Sequence, residues 1–135
     1  MPVTLTIPAL LDDAATRFGD AEAIVGPDGR ITYARLAGES RTIARSLIAA
    51  GIRPGDHVGI CAGNGIEWAA LFHGIARAGA VCVPINTRLK PDEIRYQLAQ
   101  GDVRLLFLAD RLLNVDFLEL FAALARGMSA GFPQL

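Results

Sequence analysis

Apolar residues recur along this chain with two periods, near 3.6 and near 2, and their succession predicts helices and strands in turn. Leu11, Ala14, Ala15 and Phe18 stand at i, i+3, i+4 and i+7, which gives an opening helix one apolar stripe and leaves Asp12, Asp13 and Arg17 off it. Gly19 stops that helix. Ala23, Ile24, Val25 and Arg30, Ile31, Thr32 flank Gly26, Pro27, Asp28 and Gly29, a cluster that reads as the turn of a hairpin. Thr32 is the predicted N-cap of a helix over residues 33–50, with Leu36, Ile43, Ala44, Leu47 and Ile48 on its buried face and Gly51 at its end.

The second half repeats the strand-and-helix rhythm. Pro54, Gly55 and Asp56 form a turn, and residues 57–62 a short apolar strand. Asn64 is the predicted cap of a helix running to Ala78, with Glu67 placed to reach back to the cap's N–H and to complement the helix dipole. Trp68 on this helix is expected to be largely buried, with Phe72 one turn on. Gly79 suits a left-handed residue past a helix end, Val81 and Val83 are strand formers, and Pro84 has no N–H to continue a central ladder. Strand, helix and strand make a βαβ unit whose right-handed crossover renders the strands parallel. Pro91, Asp92 and Glu93 suit the first turn of another helix closed by Gly101. Residues 103–108 form the next strand, and Asp110 caps a last helix ending near Gly127. The segment after Gly127 has neither period nor stop signal and reads as a connection. The fold class is therefore α/β: a parallel-rich sheet with flanking helices and an N-terminal hairpin, in one unit over residues 1–135 without an internal boundary.

Composition narrows the functional classes. The 135 residues carry 13 basic and 14 acidic side chains, a net charge of -1, scattered so that no field favours nucleic acid or an anionic membrane. At 52% hydrophobic residues the chain is apolar for a soluble protein, which leads us to expect surface that seeks a partner. No run reaches the length that spans a bilayer, and no basic segment leads an apolar signal core, so the chain reads as cytoplasmic. Cys61 and Cys82 each sit in an apolar strand-like run and read as free thiols.

Most catalytic constellations are missing. Gly63, Asn64 and Gly65 resemble half a dinucleotide fingerprint, but Trp68 stands at the third glycine position and no acid follows the second strand, so a tight turn is the better reading. His57 and His73 lack metal-site spacing. Ser40, Ser46 and Ser129 lack a nucleophile elbow. The pairs Asp12 with Asp13 and Asp92 with Glu93 read as helix N-terminal charge rather than acid-base partners. We assign no catalytic residue and no metal ligand.

Three ordered motifs remain: Thr32-Tyr33-Ala34-Arg35-Leu36, Asn64-Gly65-Ile66-Glu67-Trp68, and Arg77-Ala78-Gly79-Ala80-Val81-Cys82-Val83-Pro84-Ile85-Asn86-Thr87-Arg88. Together they resemble the N-terminal part of the adenylate-forming, AMP-dependent acyl-CoA synthetases and ligases, over about nine tenths of the chain. The resemblance implies an N-terminal subdomain of a longer enzyme that activates a carboxylic or fatty acid with ATP and Mg²⁺, then transfers it to coenzyme A. It is similar to the fatty-acyl or aryl ligase branch more than to peptide synthetases. The Ser/Thr/Gly-rich phosphate loop and the C-terminal lysine of the family are not found here, so the chain reads as truncated, inactive alone, and binding none of these ligands tightly. Its expected partner is the remainder of the adenylation domain, or another copy met through exposed apolar surface. By the same resemblance Arg88 is the candidate contact to a coenzyme A phosphate, with Lys90 a weaker choice. The alternative is a freestanding α/β interaction or regulatory module without catalysis.

Overall fold

A computed structural model describes residues 5–109, 111–112 and 115–128. Helix α1 (Ile7–Phe18) is capped by Thr6, whose Oγ1 accepts the Ala9 N–H at 3.2 Å, and Pro8 occupies the first turn, where a missing N–H costs nothing. The helix therefore starts ahead of its apolar stripe. Leu11 is buried as expected, but Phe18 is 50% exposed, with the Arg17 guanidinium over its ring and the Tyr33 ring tilted against it. Strands β1 (Glu22–Gly26) and β2 (Gly29–Thr32) form the predicted hairpin, and Gly29 at φ 128° meets a backbone demand that L side chains rarely satisfy.

Thr32 caps helix α2 (Tyr33–Ala49) through the Arg35 N–H at 3.3 Å. Leu36, Ala37, Ser40, Ala44 and Leu47 are its buried residues. Ile48, expected on that face, is 59% exposed. At 100° per residue it falls beyond the edge of the face that Leu36, Ser40, Ala44 and Leu47 share, in the last turn.

Three parallel strands follow, β3 (His57–Cys61), β4 (Val81–Pro84) and β5 (Val103–Leu108), in the order β4-β3-β5. Helix α3 (Ile66–Arg77) joins β3 to β4, and α4 (Pro91–Gln100) joins β4 to β5. Val58 and Ile60 of β3 face a core shared with Ala44 and Leu47 of α2 and Ile75 of α3. Cys61 faces the other side, among Ile85, Ile94 of α4 and Phe117 of helix α5 (Phe117–Met128). Helices thus cover both faces, as buried parallel sheets require. Cys82 pairs in register with Val58 and packs on that residue's face, so the two free thiols lie on opposite sides of the sheet.

Three more details differ from expectation. Helix α3 begins at Ile66 with Gly65 in the capping position and no side-chain cap, so Asn64 does not cap it; the chain runs extended through Gly65 first. Glu67 still lies in its first turn. Two short strands, β6 (Arg111–Leu112) and β7 (Val115–Asp116), precede α5, which Asp116 caps through the Glu119 N–H at 3.0 Å. The predicted cap, Asp110, lies outside the described residues. Trp68 is partly buried rather than enclosed, its ring stacked on Phe72 at 5.7 Å.

Glycine governs two close approaches. Gly79 has φ 76°, ends α3 as predicted, and its carbonyl accepts the Gly55 N–H at 2.9 Å. Gly74 lets α3 lie against α2: a Cβ there would stand 2.6 Å from Ile43 Cβ and 3.3 Å from the Ser40 carbonyl. No helix among the described residues is long and apolar enough to cross a membrane.

Candidate functional site

The chain leaves β3 in one direction to make β4 and returns past it to make β5, so the connections diverge around the central strand. In open α/β sheets a crevice forms at such a switch point, outside the carboxyl ends of the strands. A cleft of about 710 Å³ lies there. The segment after β3, from Ala62 to Ile66, and the end of β5 at Leu108 and Ala109 line it. The Ala109 N–H donates to the Cys61 carbonyl at 3.0 Å and holds those two ends together. The hairpin turn, with Asp28 and Arg30, and Arg35 and Glu39 of α2 form the opposite wall.

Its charges are mixed. Arg30 pairs with Glu22 at 2.7 Å and Arg35 with Glu39 at 3.0 Å, both exposed pairs of little energetic weight. Asp28 and Glu67 have no ion-pair partner among the described residues, so the wall has no surplus of positive charge. The uncapped start of α3 opens into the cleft and brings the positive end of its dipole there. This arrangement can orient a polar group. No cluster of three metal-ligating side chains lies among the described residues.

The cleft gathers Gly63, Asn64, Gly65 and Glu67, which the sequence places on one turn, with Asp28, Arg30, Arg35 and Glu39, which sequence reading missed. Only Asp28 gave a local signal, as the tip of the hairpin. The rest become neighbours through topology alone. Arg88 and Lys90 do not line the cleft: both are exposed on the connection between β4 and α4. The Arg88 N–H donates to Asn86 Oδ1 at 2.9 Å, and its guanidinium has no ion pair among the described residues. The Lys90 N–H donates to Glu93 Oε2 at 2.7 Å, so Glu93 supports the start of α4, as read from the sequence.

The titratable groups elsewhere are structural in setting. Asp12 lies beyond the first turn of α1, so helix N-terminal charge does not explain it. Instead it accepts two hydrogen bonds from Arg77 and one from Arg41, and the Arg77 bonds above all hold its carboxyl below the ordinary carboxylate range. Arg77 also donates to the buried Ser40 hydroxyl at 3.1 Å, which ties α1, α2 and α3 into one node. His73 has a buried Nδ1 without a partner; burial first and Arg77 second depress its pKa. His57 Nδ1 bonds the Gly101 carbonyl at the sheet's amino end, away from the cleft. Burial raises the pKa of both thiols.

The family described as AMP-binding enzyme matches residues 11–131. This chain belongs to the AMP-binding enzyme family. The chain is 38% identical over 122 residues to the acyl-CoA ligase sidI of Aspergillus fumigatus, covering 89% of itself and 21% of that protein. Its fold matches the N-terminal domain of FACL13 from Mycobacterium tuberculosis, with a TM-score of 0.78 and 31% identity, over 95% of this chain and 30% of that one. It matches the anthranilate CoA ligase AuaEII, solved in complex with anthranoyl-AMP, with a TM-score of 0.83 and 29% identity, over 94% of this chain and 23% of that one. The chain spans 19% to 24% of the length of the first curated relatives it matches. The resemblance read from the three motifs and the α/β class both hold.

Proposed function

We propose that this chain is the N-terminal subdomain of an AMP-forming acyl-CoA ligase. In the complete reaction a carboxylate attacks the α-phosphate of ATP, pyrophosphate leaves, and the coenzyme A thiol then displaces AMP from the acyl-adenylate to give a thioester. The adenylate supplies the leaving group that a free carboxylate lacks. The observation that carries this reading is the family match over residues 11–131, on a fold that also matches an acyl-CoA ligase over 94% of the chain. The described residues do not fit a Mg²⁺ site, so no step through the metal is assigned to them. Their role is to build one wall of the enzyme and to present the β3–α3 turn and the β4–α4 connection at the carboxyl edge of the sheet. Arg88 on that connection is exposed and suits a phosphate of coenzyme A by its planar fork. The partner is the rest of the adenylation domain, and the compartment the cytoplasm.

A segment exchange tests the reading. Residues 5–128 replace the equivalent segment of the sidI ligase, and carboxylate-dependent exchange of pyrophosphate into ATP is measured beside the isolated chain. The expected result is exchange by the chimera and none by the chain alone. A chimera that melts cooperatively yet shows no exchange overturns the proposal. Arg88→Ala in an active chimera should raise KM for coenzyme A roughly tenfold while leaving pyrophosphate exchange unchanged, as loss of a charged phosphate contact would.

A further inference from the structure

The chain has three asparagines, and their settings differ. Asn86 is exposed, but its Oδ1 accepts the Arg88 N–H at 2.9 Å and the β-branched Thr87 follows it. Asn114 precedes Val115, also β-branched. Asn64 is exposed on the wall of the cleft and is followed by Gly65, which has no side chain to shield its nitrogen. Because α3 starts without a side-chain cap, the Asn64 amide is left unengaged. Neither it nor the Gly65 N–H has a hydrogen-bond partner among the described residues, and the backbone at Gly65 is extended, with φ 169° and ψ -174°. Electrophile and nucleophile thus stand free on adjacent residues.

We propose that Asn64 is a site of spontaneous deamidation and isoaspartate formation in this chain. The Gly65 nitrogen, deprotonated by hydroxide, attacks Asn64 Cγ; the bond from Cγ to Nδ2 breaks and ammonia leaves, which closes a five-membered succinimide. Water then opens the ring. Cleavage at Cγ gives aspartate at position 64, whereas cleavage at the main-chain carbonyl gives isoaspartate, whose backbone is one methylene longer. The positive end of the α3 dipole lies beside the attacking nitrogen and favours the negative charge on it. The chemistry is intramolecular, so no second chain or further segment takes part. Its product alters the cleft: a wall that already carries Asp28 and Glu67 gains another carboxylate, and Asp28 Oδ2 lies 3.5 Å from where a Gly65 Cβ would stand. The isoaspartyl form also lengthens the β3–α3 turn.

Peptide mapping by mass spectrometry of the folded chain, held at mildly alkaline pH, tests the site, with electron-transfer fragmentation to separate aspartate from isoaspartate. The expected result is a gain of about one mass unit at Asn64, at least tenfold faster than at Asn86 or Asn114, and faster still as pH rises. Gly65→Ala should slow the conversion at least tenfold. That variant should fold, since the extended φ suits any residue and the new Cβ meets only Asp28 Oδ2, at ordinary contact distance. Should it fail to fold, the unmutated chain in concentrated urea decides: Asn64 of the folded chain should convert within tenfold of the unfolded rate. An amide that survives in the folded chain while the unfolded chain converts overturns the proposal. So does conversion at Asn64 no faster than at Asn86, or a folded Gly65→Ala variant that converts as fast as the unmutated chain.

Discussion

Arg77 of α3 grips Asp12 of α1 through a two-pronged contact, Nη1 to Oδ2 at 2.9 Å and Nη2 to Oδ1 at 2.7 Å. The guanidinium fork matches the carboxylate, and the remaining Nε reaches Ser40 of α2, so one side chain fixes the relative placement of three helices.

Arg77→Ala should cost roughly 1 to 3 kcal/mol, because it strips charged hydrogen bonds from Asp12 and a partner from the buried Ser40 hydroxyl. Chemical denaturation of the two proteins at neutral pH measures it. A loss near zero would show that the node is an ornament of the surface.

The same node sets a pH dependence. Asp12 has a depressed folded pKa, so its contribution is fully present above its unfolded pKa, near the ordinary aspartate value of 3.8, and disappears as pH falls through the lower folded value. Asp12→Asn should flatten the loss of stability below about pH 4. The side chain is 39% exposed, so solvent screens the effect, and its size should stay small. Melting at pH 3 and pH 6 for both proteins checks the sign.

Gly74→Ala should destabilise despite the better helix propensity of alanine. The propensity gain is roughly 1 kcal/mol. Against it, the new Cβ meets Ile43 Cβ at 2.6 Å and the Ser40 carbonyl at 3.3 Å, neither of them the free end of a flexible side chain. Overpacking of this kind costs about 1 to 3 kcal/mol. A raised melting temperature would show that α2 and α3 can part without loss.

Trp68→Ala should cost about 2 to 3 kcal/mol, less than the roughly 3 to 5 of a fully enclosed aromatic. The ring stacks on Phe72 and packs against the core of Val58, Ile60 and Ile75, yet keeps some exposure. A denaturant melt with a loss below about 1 kcal/mol would place the ring outside that core.

Much of the fold was legible because its signals are local. Thr32, Gly79 and the Gly26 to Gly29 cluster each announce a cap, a helix end or a turn within a few residues, and the structure places all three as read. Asn64 failed because a capping residue and a helix start must coincide, and Gly63 and Gly65 let the chain travel further before turning. Strands β6 and β7 have two residues each, too few for any period to show. The cleft was illegible for another reason. Arg35 and Leu108 meet around it only because the chain returns past β3 to lay β5 on its other side, a fact of topology that no window of sequence contains.

That strand order also has a consequence for synthesis. β3 is the middle of the sheet but the first of its three strands to be made, and its final neighbour is complete only at Leu108. At roughly 5 to 20 residues per second, a ribosome leaves the most buried of the three parallel strands with one flank bare for several seconds. Val58 and Ile60 must therefore be sheltered meanwhile by α2, already finished, and by α3 as it emerges. Early pairing of α2 with α3, made close by Gly74, is what a nascent chain of this order needs in order to stay out of the hands of chaperones.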